Sequence, residues 1–300
     1  MTSPYQILTI PTPKEFDFQQ NLSYLARSDQ ECMFTVQNNT ISKAISINDS
    51  LVIFHVTADD TQLIVTLSGD AYFPETIQAG VHDYIIDWFD LHTDLKPFYN
   101  MASNDPLLSK MIHSFYGLRM MGIPDLFEAL CWGIIGQQIN LNFAYTLKER
   151  FVRQFGQTIT YENKSYSIFP KPEVIATQTI ENLQSLQLPK RKCEYLIGVA
   201  KLLANGELSK EKLLAMPSIK EAVKTLVAIY GIGPWTANYV LMRCLRFPDA
   251  FPMGDVGLHN AIKHQLNSNE KPTKGTLIRL GESWQGWQAY ATFYLWRTLY

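Results

Sequence analysis

Leu226-Val227-Ala228-Ile229-Tyr230-Gly231-Ile232-Gly233-Pro234-Trp235-Thr236-Ala237-Asn238-Tyr239 is the stretch on which the reading of this chain turns. Two glycines one residue apart, followed by a proline able to open a helix, predict a tight hairpin between two helices. Such a hairpin leaves backbone N–H groups free at a helix N-terminus, where a phosphate can be held. The stretch continues as an apolar, helix-like segment and ends at Phe251-Pro252-Met253-Gly254-Asp255, which sets a lone carboxylate in a loop of Pro and Gly.

Working outward, Ser218-Ile219-Lys220-Glu221 has capping-box spacing and opens the first hairpin helix, and Pro234 to Arg246 forms the second. Val256 to Gln265 and Trp284 to Leu299 read as further helices. Upstream, Pro106 to Phe115 is a helix candidate, and Asp125-Leu126-Phe127-Glu128 caps a long amphipathic run to about Phe155. Gln157 to Ser167 is polar, a hairpin or a loop. Helices start at Pro172 and Thr179, and Lys190 to Ala204 is a basic-headed helix ending at Gly206.

Before residue 100 the pattern changes. The chain starts extended around Pro4, Pro11 and Pro13, and a short helical piece carries Leu22, Tyr24, Leu25 and Arg27. Cys32–Val36, Ile41–Ile47, Leu51–Val56 and Leu63–Leu67 are β-rich, separated by Asn38-Asn39, Asn48-Asp49-Ser50 and Ala58-Asp59-Asp60. Ile77 to Leu91 has helical spacing. The expectation is an α+β chain: residues 1–100 form a small antiparallel sheet with a packed helix. Residues 101–300 form an all-helical region of two layers around a cleft, with the helix-hairpin-helix at about 218–246.

The net charge of −2 hides an asymmetry, because residues 1–100 carry 4 Lys and Arg against 13 Asp and Glu, and residues 101–300 carry 22 against 15. The second region has the sign that phosphate contact requires; two soluble domains of different charge is the plainer reading. Met1–Tyr5 has no secretory pattern and no run of apolar residues is long enough to span a membrane, so a cytoplasmic protein is expected. Cys32, Cys131, Cys193 and Cys244 are scattered without C-x-x-C spacing, which argues against a zinc or iron–sulfur site. Cys131 and Cys244 read as buried thiols. His113 and His259 lack paired ligand spacing.

At Gly231–Tyr239 the sequence resembles the helix-hairpin-helix base-excision DNA glycosylases, and within them the alkylation-repair type, DNA-3-methyladenine glycosylase II. The resemblance extends to Pro252-Met253-Gly254-Asp255, to Gly136-Gln137-Gln138-Ile139 after Gly117-Leu118-Arg119, to Trp287-Gln288-Ala289-Tyr290-Ala291 with Trp296, and to Tyr24-Leu25-Ala26-Arg27. It implies a monofunctional enzyme that extrudes an alkylated purine (3-methyladenine, 7-methylguanine) from double-stranded DNA and hydrolyses its N-glycosidic bond, leaving an abasic site in base excision repair. Asp255 falls at the catalytic position; as the residue before Val256 it also suits a helix N-cap, and both roles can coexist. Trp235, Tyr239, Trp296 and Tyr24 are implied to line the base pocket, where aromatic faces suit a flat, cationic base; core packing is the alternative. Strand-cutting relatives carry a Lys at the position of Trp235, so water is expected as the nucleophile.

Gln137 and Gln138 are implied at the gap left by the extruded base, although alkylation-specific relatives often have an apolar residue there. Gly231, Ile232, Gly233 and Thr236 are implied to meet the DNA backbone, and Arg27 to contact either the sugar-phosphate or the pocket; Lys190-Arg191-Lys192 and Arg243 are candidate phosphate partners, with ordinary solvated surface as the alternative. A sodium or potassium ion is implied at the carbonyls of Tyr230, Ile232 and Gly233; no cofactor is required and no iron–sulfur cluster is expected. The protein is expected to act as a monomer. Two other readings stay open: an oxidised-guanine or mismatch glycosylase, and a non-catalytic damage-binding module, against which Asp255 argues because a carboxylate near phosphates would repel them.

Overall fold

A computed structural model describes residues 6–69 and 72–300; residues 1–5, 70 and 71 lie outside it, and with them the readings made of Met1–Tyr5 and Pro4. The chain opens with strand β1 (Gln6–Pro11) and helix α1 (Phe18–Leu25), which Asp17 caps by accepting from the Gln20 N–H. Strands β2 (Phe34–Gln37), β3 (Thr40–Ile47), β4 (Ser50–Ala58) and β5 (Gln62–Ser68) then run as a meander. Asn38 and Asn39 (φ 51° and 62°) and then Asn48 and Asp49 (φ 47° and 63°) turn the strands. These are two-residue turns with both residues left-handed, as the twist of a hairpin demands. The extended start of the chain is a paired strand: β1 joins β5, giving an antiparallel sheet of order β1-β5-β4-β3-β2.

Alternation sorts the sheet into two faces. Val56 faces Ile41 on one side and Val65 on the other, and all three are buried against Val81, Ile85 and Phe89 of α2 (Glu75–Phe89) within the main core. The opposite face holds Ala44 paired with Ile53. It is covered by Tyr166 and Ile168 from a hairpin much later in the chain, β6 (Gln157–Tyr161) and β7 (Lys164–Ile168). That stretch, read as hairpin or loop, is a hairpin, and it is the one interruption among the described residues in the helical character of 101–300.

The helices are α3 (Lys96–Ser103), α4 (Ser109–Ser114), α5 (Leu126–Ile135), α6 (Leu141–Phe155), α7 (Pro172–Ala176), α8 (Ile180–Gln184), α9 (Lys190–Ala204), α10 (Lys210–Leu214), α11 (Ile219–Val227), α12 (Pro234–Arg243), α13 (Val256–Gln265), α14 (Lys274–Ser283) and α15 (Gln288–Arg297). The predicted caps are made: Asp125 accepts from the Glu128 N–H and Ser218 from the Glu221 N–H. One correction concerns the long run to Phe155, which is two helices. The chain breaks at Gly136–Asn140, where Gln138 adopts φ 56° and Asn140 caps α6 through the Phe143 N–H. Helices α3, α10 and α14 lie outside the expected elements; α10 and α14 are capped by Ser209 and Thr273, which accept from the Lys212 and Thr276 N–H groups. A single hydrophobic core runs from the sheet through α2 and α5 to α15, so the two regions share one interior. No helix among the described residues is long and apolar enough to cross a membrane.

Candidate active site

Helices α11 and α12 form the hairpin. Gly231 sits at φ +92°, and a Cβ there would lie 2.1 Å from the Tyr195 ring, so both backbone angle and space require glycine. Gly233 precedes α12 and Pro234 opens it, leaving the N–H groups of Trp235 and Thr236 without an intrahelical partner. Tyr230 projects from the tip, 67% exposed and edge-on to Tyr195.

Gln137 joins this hairpin to the α5–α6 turn. Its amide donates to the Gly231 carbonyl at 3.0 Å and the Thr236 hydroxyl at 3.1 Å. The Lys192 ammonium braces the same turn from below, donating to the carbonyls of Ile135 and Gln137 at 2.7 Å each. Gly133 of α5 lets α12 approach, since a Cβ there would lie 2.8 Å from Thr236. The turn thereby presents Gln138 outward, exposed, with the apolar Leu141 and Phe143 partly exposed beside it on the first turn of α6.

Twenty residues beyond Trp235 the chain arrives at Asp255, whose carboxylate accepts three hydrogen bonds. Oδ1 accepts from Trp296 Nε1 at 2.7 Å and from the Leu258 N–H at 2.6 Å; Oδ2 accepts from Trp235 Nε1 at 2.9 Å. The helix cap is therefore real and coexists with two indole contacts. Gly257, in the first turn of α13, makes room for them, because a Cβ there would sit 3.0 Å from Asp255 Oδ1 and 3.4 Å from the Trp296 ring.

The aromatics form a continuous wall. Trp235 stacks on Tyr239 with ring centroids 5.5 Å apart, Tyr239 lies 6.1 Å from Trp296, and Tyr24 packs 4.6 Å from Phe293 of α15. Trp235 is half-buried, while Tyr239, Trp296 and Tyr24 are buried. Burial pushes the Tyr239 phenol up to about 12, against the opposing effect of Arg243, so it stays neutral and accepts an N–H from Arg243 at 3.3 Å.

Behind this wall is a cavity of about 40 Å³ lined by Tyr24, Arg27, Trp132, Tyr145, Tyr239 and Arg243 and by a buried ion cluster. In that cluster Lys148 of α6 bridges Glu31 at 3.1 Å and Glu128 of α5 at 3.0 Å. Burial works against charge on Lys148 and Glu31. The Lys148–Glu31 attraction prevails, holding the ammonium above and the Glu31 carboxyl below their ordinary ranges.

Several expected positions need correction. Of the two positions expected for Arg27, the structure gives the one away from the hairpin face. It lines the cavity, half-buried, with its guanidinium 4.1 Å over the Tyr24 ring. Gln137 is committed to the hairpin, so of the pair only Gln138 is free to meet a gap in a duplex. Thr236 has its side chain buried, and only its backbone N–H belongs to the hairpin end. Lys192 and Arg243 are buried structural donors, the latter to the Met121 carbonyl at 2.9 Å; Lys190 and Arg191 are exposed. The Nε2 of His259 lies 2.7 Å from the Met253 carbonyl oxygen. Cys131 and Cys244 are buried thiols, as read. The cavity residues Glu31, Trp132, Tyr145 and Lys148 were missed: they are up to 117 positions apart, and no sequence signal joins them.

Comparison with known proteins adds the following. Residues 131–286 match the family model described as HhH-GPD superfamily base excision DNA repair protein, and residues 9–130 match the 8-oxoguanine DNA glycosylase, N-terminal domain. The chain is 50% identical to the DNA-3-methyladenine glycosylase of Bacillus subtilis (strain 168), over 98% of this chain and 97% of that one. A 3-methyladenine DNA-glycosylase structure from Archaeoglobus fulgidus superposes with a TM-score of 0.84, covering 96% of this chain and 97% of its own, at 22% identity. The 8-oxoguanine glycosylase/lyase of Clostridium acetobutylicum, solved with double-stranded DNA, superposes at 0.74 over 95% of this chain and 91% of its own, at 19% identity. At those identities the two structures speak to the fold.

Proposed function

The chain belongs to the HhH-GPD superfamily of base excision DNA repair proteins, and we infer from its site that it is a DNA glycosylase removing alkylated purines. The observation that carries this is the Asp255 carboxylate held by Trp235 and Trp296 beside the stacked Trp235–Tyr239 pair. DNA binds along the helical region. The free N–H groups at the start of α12 hold a phosphate, and Gln138 enters the space vacated by the extruded base. The base stacks on Trp235 and Tyr239, whose ring faces attract the positive charge that N3 or N7 alkylation creates.

The bond between C1′ and the base nitrogen then breaks with its electron pair going to the base. A cationic base leaves neutral and needs no proton. The sugar is left as an oxocarbenium-like cation, which Asp255 stabilises. A carboxylate has about four acceptor sites, and three are taken here, so Asp255 acts chiefly through its charge, with one site left to orient water. Water adds to C1′, its proton passes to solvent, and an abasic site remains.

Strand cleavage is no part of the proposal, because Trp235 stands where a Schiff-base lysine would be needed and an indole nitrogen cannot form one. This also disfavours a glycosylase/lyase acting on oxidised guanine. A sodium or potassium ion at the Tyr230, Ile232 and Gly233 carbonyls belongs to the same proposal. Gly233's oxygen already accepts from the Ala237 N–H at 2.9 Å and keeps a second lone pair for such an ion.

The experiment is incubation of the protein with methylated duplex DNA, with released bases separated and identified. Release of 3-methyladenine or 7-methylguanine, strand breakage only after added alkali, and no borohydride-trapped covalent complex are expected. Absence of base release refutes the activity; spontaneous breakage or trapping refutes the monofunctional assignment.

A further inference from the structure

Gln138 holds a backbone conformation that residues other than glycine rarely adopt. Its φ is +56°, and its exposed side chain takes part in no hydrogen bond among the described residues. Its neighbours supply the restraint. Gln137, immediately before it, donates both amide hydrogens to the hairpin, at Gly231 and Thr236. The carbonyls of Ile135 and Gln137 converge on the Lys192 ammonium. Asn140, two residues on, closes the turn by capping α6.

Lys192 is an unusual group to hold two carbonyls. It is 8% exposed, and its ammonium meets no carboxylate among the described contacts. The adjacent Lys190 and Arg191 are exposed. A buried cation without a counter-ion has to be balanced by dipoles. One of the two here belongs to Ile135, the last residue of α5, where a cation suits the helix end. The other belongs to the peptide that joins Gln137 to Gln138, so the ammonium fixes the plane from which Gln138 departs.

We propose that Lys192 and Gln137 are positioning residues for base extrusion, locking the α5–α6 turn to the hairpin so that phosphate binding at α12 drives Gln138 into the duplex. The inference rests on the reading above that Gln138 fills the space vacated by the base.

Forcing a residue into a stack takes work, because the target base must be unpaired and unstacked. That work has to come from binding made elsewhere on the DNA. The phosphate grip at the start of α12 is joined directly to this turn, since Gln137 bonds to Thr236, whose N–H is one of those left free there. Consecutive Cα atoms are about 3.8 Å apart, so little slack lies between the tie at Gln137 and the side chain of Gln138. A soft turn would let Gln138 fold back and leave the base in its stack. A turn held by Lys192 makes grip and insertion one event.

The test is single-turnover release of 3-methyladenine by the parent, K192M, Q137M and Q138A. One strand carries a single adenine, methylated before annealing to a complement that sets either thymine or a mispairing cytosine opposite it. The readout is the ratio of the paired to the mispaired rate. A mispaired base is easier to extrude, and any loss of folded protein scales both rates alike. The expected result is a fall in that ratio of about 10-fold in K192M and in Q137M, in the same direction as in Q138A. A ratio lowered in Q138A but unchanged in K192M and Q137M overturns the proposal and leaves the role of Gln138 standing. An unchanged ratio in Q138A overturns both. A salt-sensitive loss of affinity for undamaged duplex in K192M, with its ratio unchanged, marks a phosphate contact and also overturns the proposal. If the parent releases no 3-methyladenine from either duplex, the activity itself falls and the proposal with it.

Discussion

Trp235 donates its indole N–H to Asp255 at 2.9 Å while its ring stacks on Tyr239 at 5.5 Å. One side chain thus fixes the distance between the Asp255 carboxylate and the stacked aromatic surface. Replacing Asp255 separates its two duties. In Asp255→Asn the side-chain oxygen can still accept the Leu258 N–H, and Asn caps helices as well as Asp does. The charge is gone. Base release is expected to fall by about 10²- to 10³-fold in single-turnover assays. Thermal unfolding should shift far less than in Asp255→Ala, which loses the cap as well.

Trp235→Phe keeps a ring against Tyr239 and removes the donor. Asp255 Oδ2 then loses its only protein partner among the described contacts. A hydrogen bond to a charged group is worth enough to cost about 10-fold in rate when it positions that group. The loss should appear in the single-turnover rate with little change in affinity for DNA containing an abasic site, where no base is stacked. An equal loss in both would mean that the indole serves DNA binding instead.

Gly257→Ala sets two effects against each other. Alanine is the better helix former by up to about 1 kcal/mol, and no left-handed angle forbids it here. Yet the new Cβ would press on Asp255 Oδ1 at 3.0 Å and on Trp296 at 3.4 Å. The expected outcome is a melting temperature equal to or above the parent's with base release slowed by roughly 3- to 10-fold. A variant as fast as the parent would show that a displacement of a few tenths of an ångström at this carboxylate does not matter.

What could be read in the sequence was local. Gly231, Gly233 and Pro234 specify a hairpin through backbone angles and a missing N–H, and Asn38-Asn39 and Asn48-Asp49 specify strand turns in the same way. The break in the presumed long helix was also written there, in Gly136 and the capping Asn140, but the amphipathic period on either side concealed it. Contacts between distant residues were not legible. Trp296 reaches Asp255 from 41 positions away, and Gln137 reaches Gly231 from 94. Only the resemblance to a family suggested the first, and nothing suggested the second. Charged side chains were misplaced for a general reason: a lysine such as Lys192 looks the same in a sequence whether solvated or buried against carbonyls.

The buried cluster beside the cavity makes the last prediction one of pH. Lys148 neutralises Glu31 and Glu128 in an interior where their side chains are 10% exposed or less. Burial alone would raise the Glu31 carboxyl; Lys148 and the Met33 N–H oppose it and win, so it titrates below its ordinary 4.5. A carboxyl depressed in the folded state contributes stability that is fully present above pH 4.5 and is lost as the pH falls through the folded value. Lys148→Met reverses this, leaving the two buried carboxylates with only Lys43 near them. At pH 7 the variant should be less stable by about 3–5 kcal/mol. As the pH falls towards 4.5 the variant's carboxyls, raised by burial, take up protons and shed their penalty, and below 4.5 the parent loses its own stabilisation, so the two should converge. Urea unfolding of both proteins from pH 7 to pH 3.5 measures the gap. A difference that stays constant across that range would mean that Lys148 stabilises by packing, with no part for its charge.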